Sequence, residues 1–79
     1  MNWEERIVSD KNVLLGKPVI KGTRISVQFI LERLAGGWSE KKILKSYPHL
    51  KQEDIQAVFS YLNDCVKDGL MVELRNRTA

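Results

Sequence analysis

Three times between Val27 and Val66 the apolar residues of this chain fall on a helical period, and each run is bracketed by residues that start or stop a helix. Val27, Ile30, Leu31, Leu34 and Ala35 stand at i, i+3, i+4, i+7 and i+8. One apolar stripe therefore faces a core, and Gln28, Glu32 and Arg33 face water. Ser26 fits the N-cap of this helix, Ile25 and Ile30 occupy the two positions of a hydrophobic staple, and Gly36-Gly37 ends it. Trp38-Ser39 repeats the device, with Ser39 as cap and Trp38 and Ile43 placed for a second staple. That short helix runs to about Tyr47, because Pro48 forbids continuation. The third run, Ile55, Val58, Phe59, Leu62 and Val66, predicts a helix from about Gln52 with Gly69 as its C′ residue. Glu53 and Asp54 suit the positive end of its dipole.

Upstream of Ser26 the pattern shortens. Val19-Ile20, the dipeptide Lys21-Gly22 and residues 23–25 have the layout of a two-residue hairpin with glycine supplying positive φ. Pro18 has no N–H for a ladder, so such a strand begins here or lies on an edge, and the sheet is minor. Ile7-Val8 is a candidate third strand to partner this hairpin. The expected fold is mainly α: a three-helix helix-turn-helix (homeodomain-like) bundle preceded by a small N-terminal β-hairpin. Residues 1–69 make the domain, and residues 70–79 form a C-terminal tail without a core of its own.

At 79 residues the chain is near the size at which one core is only just sufficient, so a homodimer or a complex is expected. The lone Cys65 excludes an intramolecular disulfide, and no run reaches the roughly 18 apolar residues of a membrane span. The acidic start Met1-Asn2-Trp3-Glu4-Glu5 is unlike a signal peptide, which makes a cytoplasmic location the expectation. Formal charge is +3, but its distribution matters more than its sum. Residues 1–37 carry six Lys or Arg against four acids, residues 38–69 five against five, and residues 70–79 two against one. The excess lies outside the second and third helices.

Catalytic chemistry finds little to work with. His49 and Cys65 are single, without a companion for a triad or a metal site, and both read as structural; no cofactor is expected. Glu53, Asp54, Asp64 and Asp68 are spread along a helix among lysines, as on a solvated face. Trp3 and Trp38 read as packing residues rather than stacking platforms for single strands. Gly16 and Gly22 with Lys21 and Arg24 admit two readings: a cradle for an anion, or glycines that shape the hairpin while Arg24 braces it.

Taken in order, Arg6-Ile7-Val8-Ser9-Asp10, Gly16-Lys17-Pro18-Val19-Ile20, Gly22-Thr23-Arg24-Ile25, Gly37-Trp38-Ser39 and Tyr47-Pro48-His49-Leu50 resemble the DUF433 family over residues 6–62. The resemblance implies a helix-turn-helix-like core and the role of a VapB-type antitoxin encoded beside a PIN-like nuclease toxin. The family pattern has Ser or Thr at the cap of the third helix. Here Lys51 stands there and offers no acceptor, so a frayed or shifted start is expected.

Two surfaces follow for testing. In a helix-turn-helix the outward face near the start of the last helix reads base edges. With Ile55, Phe59 and Leu62 inward, that face carries Glu53, Ala57, Ser60 and Asp64, with Gln52 and Gln56 toward one flank. Gln52 and Gln56 would pair with adenine, and Lys21, Arg24, Lys41, Lys42, Lys45 and Lys51 would hold phosphates; a solvated or protein-binding face is the alternative. The second surface is the tail. Leu70, Met71, Val72 and Leu74 would supply contact area to the toxin implied by the resemblance, and Arg75 and Arg77 would match its clustered carboxylates bidentately. Closure of a homodimer by the same apolar residues is the rival. The function expected is a type II antitoxin that neutralises a PIN-like ribonuclease toxin and binds its own promoter DNA. Alternatives are a stand-alone DNA-binding transcriptional regulator and a homodimeric interaction module.

Overall fold

The computed structural model describes residues 2–69. A 3₁₀ turn over Trp3–Glu5 leads into β1 (Ile7–Val8), a second short turn covers Leu14–Gly16, and β2 (Val19–Ile20) precedes the helices α1 (Val27–Ala35), α2 (Glu40–Ser46) and α3 (Gln52–Lys67). The order is that expected: a small antiparallel pair at the N-terminus, then three helices.

The pairing within the sheet differs in detail. β1 runs antiparallel to β2, with Ile7 opposite Ile20 and Val8 opposite Val19, so the expected third strand is the one that forms the ladder. Lys21-Gly22 does turn the chain: the Thr23 N–H donates to the Ile20 carbonyl at 3.0 Å while Gly22 sits at φ 79°. The Thr23 hydroxyl locks the turn, donating to the Ile20 carbonyl at 2.7 Å and accepting from the Ile25 N–H at 3.0 Å. The returning leg keeps a single bridge, Val19 to Ser26, because Ser26 is already committed to starting α1.

Both serine caps form. Ser26 Oγ accepts from the Phe29 N–H at 2.9 Å, and Ser39 Oγ accepts from the Lys42 N–H at 3.1 Å. α1 ends in a Schellman motif: Gly37 at φ 96° lets the Trp38 N–H reach the Arg33 carbonyl and its own N–H reach that of Leu34, each at 3.0 Å. At α3 the Lys51 side chain supplies no cap bond, and only the reciprocal half of a capping box forms. Asp54 Oδ2 accepts from the Lys51 N–H at 2.9 Å, and the helix begins at Gln52, where the periodicity puts it.

Ile30, Ile43, Ile55 and Val58 are fully withdrawn from water at the centre of a cluster that also takes in Ile7, Ile20, Val27, Leu50 and Ala57. Each such burial is worth roughly 1.5–3 kcal/mol. One expectation about α3 fails. Phe59 is 47% exposed and Val66 59%, whereas Ala57, placed outward by periodicity, is fully buried. The N-terminal 3₁₀ turn covers a second side of α3: Trp3 stacks edge-on against Tyr61 at 4.8 Å and donates Nε1–H to Asp64 Oδ2 at 2.7 Å. A helix buried on two sides turns its small residue into the tighter contact and releases a large one to the open side.

Among the described residues, backbone strain is concentrated in the Leu14–Gly16 turn. Leu14, Leu15 and Gly16 stand at φ 48°, 58° and 83°, three left-handed residues in succession. For each leucine this conformation costs about 1–2 kcal/mol. Leu15 is 94% exposed, so no packing offsets its share.

Candidate functional site

α3 presents three kinds of surface. Ile55 and Val58 enter the core, while Asp54, Ala57, Tyr61 and Asp64 lie toward the N-terminal turn. The remaining stripe, Gln52, Gln56, Phe59, Asn63 and Val66, is exposed along its whole length. Its first half is polar, and its second half exposes Phe59 and Val66 with Asn63 between them. The face expected to carry Glu53, Ala57, Ser60 and Asp64 thus breaks up: Glu53 is exposed, Ala57 is buried, and Ser60 and Asp64 are half-buried, the latter bonded to Trp3. Gln52 and Gln56, placed on a flank by periodicity, occupy the open stripe itself.

The basic candidates fall into groups. Lys21 and Arg24 flank the Gly22 turn and share an open cleft with His49, which comes from the link between α2 and α3. Among the described residues, no acidic side chain lines this cleft. Lys21 also borders a second recess with Glu5, Arg6 and Asp54, where acids and bases alternate. On α2, Lys41 and Lys45 are exposed, and Lys42 folds back so that its ammonium lies 4.2 Å over the Trp38 ring. Lys51 is exposed at the start of α3, and Gln52 is tied to α2 by a 3.0 Å bond from Nε2 to Glu40 Oε1. Of the tail candidates, Leu70, Met71, Val72, Leu74, Arg75 and Arg77 lie outside the described residues.

Between α1 and α2 the aromatic residues build a bracing unit. Trp38 stacks on Tyr47, Tyr47 meets Phe29 edge-on, and the Arg33 guanidinium lies 4.2 Å from the Phe29 ring and 5.5 Å from that of Trp38. Trp3 and Trp38 are thus packing residues. Arg33 Nε is buried without an acceptor among the described residues, and the ring faces are what surround the charge.

The fold perturbs the titration of Tyr61. Burial pushes its phenol above the ordinary tyrosine range, and the neighbouring Cys65, as a charge and as a hydrogen-bond partner, adds to the rise. Among the described residues no three His, Cys, Asp or Glu side chains converge where a metal ion could sit. No described helix is long and apolar enough to cross a membrane.

Sequence reasoning missed two features. The exposure of Leu15 had a faint signal, a Leu-Leu pair beside Gly16 and just before Pro18, where the chain must turn. The opening of Phe59 had none, since it depends on Trp3 and Arg6, which lie more than forty residues away in sequence.

These features define a small helix-turn-helix-like domain with a two-stranded N-terminal sheet and an open stripe on its last helix. The chain belongs to the DUF433 family, described as a protein of unknown function, which matches residues 7–62. The uncharacterized protein y4eO of Sinorhizobium fredii is 33% identical over 57 residues, covering 72% of this chain but only 26% of that relative. The crystal structure of a DUF433 member protein from Anabaena variabilis superposes with a TM-score of 0.73 at 28% identity, over 80% of this chain and 62% of that one. The chain therefore spans about a quarter of the curated relative and under two thirds of the solved one.

Proposed function

We propose that this chain is a type II antitoxin that binds and silences a PIN-like ribonuclease toxin. The observation that carries the reading is the far half of the α3 stripe, where Phe59 and Val66 stand 47% and 59% exposed on either side of Asn63. Large apolar side chains left in water on a rigid helix suit a protein partner better than a polyanion. Just past α3 the chain continues into Leu70, Met71, Val72 and Leu74, and then into Arg75 and Arg77, whose planar guanidinium groups match the clustered carboxylates of a metal-dependent nuclease. A nuclease as the partner is what the DUF433 resemblance implies.

The test is co-expression of the tagged chain with the product of the adjacent gene, followed by co-purification and an RNase assay. A complex with silenced nuclease activity supports the reading, and Phe59→Ala and the pair Arg75→Ala with Arg77→Ala then weaken both. Failure to form a complex sinks it.

A second reading, a stand-alone DNA-binding regulator, is favoured by the exposed Gln52 and Gln56 on the first turns of α3 and by the cleft that Lys21, Arg24 and His49 share. It requires duplex binding without a partner that falls steeply with salt and is lost on changing Lys41, Lys45 or Lys51.

A further inference from the structure

The strained Leu14–Gly16 turn has one visible product: it holds Leu15 out into water. The turn is closed by its own backbone, with the Gly16 N–H on the Val13 carbonyl at 3.0 Å and the Lys17 N–H on the Leu14 carbonyl at 3.2 Å. Leu15 is itself one wall of an open groove of ≈ 380 Å³, whose other lining residues are Leu14, Lys17, Ser26, Gln28, Phe29 and Glu32. The projection and the recess occupy one continuous surface.

We propose that this surface is the interface of a two-fold symmetric homodimer, in which Leu15 of each protomer enters the groove of the other. A knob and a hole side by side are self-complementary: one two-fold axis between them satisfies both at once, whereas a foreign partner would have to supply a separate match for each. The charges agree. Lys17 and Glu32 rim the same groove with opposite sign, and neither is in an ion pair among the described residues. A two-fold axis that passes between these two side chains sets Lys17 of one protomer against Glu32 of the other, twice. The interface draws on the turn and on α1 and uses no residue of α3, so Phe59 and Val66 stay open to another chain. The inference stands whether or not the partner is a toxin.

The test is the mass in solution by sedimentation or light scattering. The chain runs at twice its single-chain mass at high micromolar concentration, and Leu15→Asp weakens the dimer by about tenfold or more without changing the circular dichroism, since Asp tolerates the left-handed region. Lys17→Glu and Glu32→Lys each weaken self-association, and mixing these two variants restores a dimer, because every cross-pair is then of opposite sign. A monomeric wild-type chain overturns the proposal. So does a dimer indifferent to Leu15→Asp, or a mixture no tighter than its components.

Discussion

Arg6 Nη1 lies 3.0 Å from Oδ1 of Asp54, a bond across 48 residues that ties the N-terminal turn to the first turn of α3. The second oxygen of the same carboxylate caps the helix by accepting from the Lys51 N–H. Asp54 is only 7% exposed at its side chain, while Arg6 keeps a third of its surface in water. One side chain thus closes the start of the helix and anchors the segment that covers its second side.

Asp54→Ala removes both roles and is expected to cost about 2–4 kcal/mol, measured as a shift in urea denaturation. Asp54→Asn keeps an acceptor for Lys51 and should retain part of that stability. Arg6→Ala leaves a buried carboxylate without its cation and is expected to cost about 2–3 kcal/mol, the low end for such pairs because Arg6 is partly solvated. An unchanged midpoint for Arg6→Ala would mean that the pair contributes nothing to stability.

Ile55 and Phe59, one helical turn apart, are expected to respond in opposite ways to truncation. Ile55 is fully buried, so Ile55→Ala costs about 2–5 kcal/mol, a large share of a total stability on the order of 5–10 kcal/mol. Phe59→Ala, with the residue half in water already, costs under about 1 kcal/mol. Thermal unfolding of the two variants separates them, and comparable losses would contradict the rotation of α3 described above.

Leu15→Gly is expected to stabilise the monomer, by up to about 1 kcal/mol. Glycine removes the left-handed penalty at φ 58°, and the 94% exposed side chain has almost no packing to lose; the flexibility that glycine adds to the unfolded chain offsets part of the gain. Denaturation at low protein concentration reads this effect apart from any dimer. A destabilised variant would show that Leu15 has packing partners.

Tyr61 sets an expectation at alkaline pH. Its folded-state pKa lies above the unfolded value because burial, and then Cys65, favour the neutral phenol. The stability it contributes is therefore fully present below the unfolded value of about 10, and is lost as pH rises through the folded value. Tyr61→Phe should flatten this alkaline decline. Cys65→Ala removes the charge and the hydrogen bond while leaving burial in place, so tyrosinate absorbance should show a titration displaced toward the ordinary range but still above it.

The local signals were legible in the chain because they act over a few residues. Ser26, Ser39 and the Gly36-Gly37 pair start and stop helices through bonds three or four positions away, and Pro48 acts on its immediate neighbour, so α1 and α2 lie where the pattern puts them. The DUF433 motifs were readable for the same reason, since they sit in these caps and turns. The candidate surfaces were legible only in part. Gln52, Gln56 and the lysines of α2 are exposed, but the expected outward face of α3 holds a buried Ala57 and an Asp64 bonded to Trp3.

Three helices with their ends, a minor sheet and a core of isoleucine and valine were thus determined by the sequence alone, through periodicity and capping. Tertiary structure decided which strand pairs with β2, how α3 is rotated and which large side chains remain in water. Those outcomes depend on Trp3 and Arg6 packing against residues some fifty to sixty positions away, and on a turn that holds Leu15 left-handed and exposed. A repeating pattern reports that a helix has a buried side; only the neighbours that arrive from elsewhere in the chain choose how many sides are buried and which one stays open.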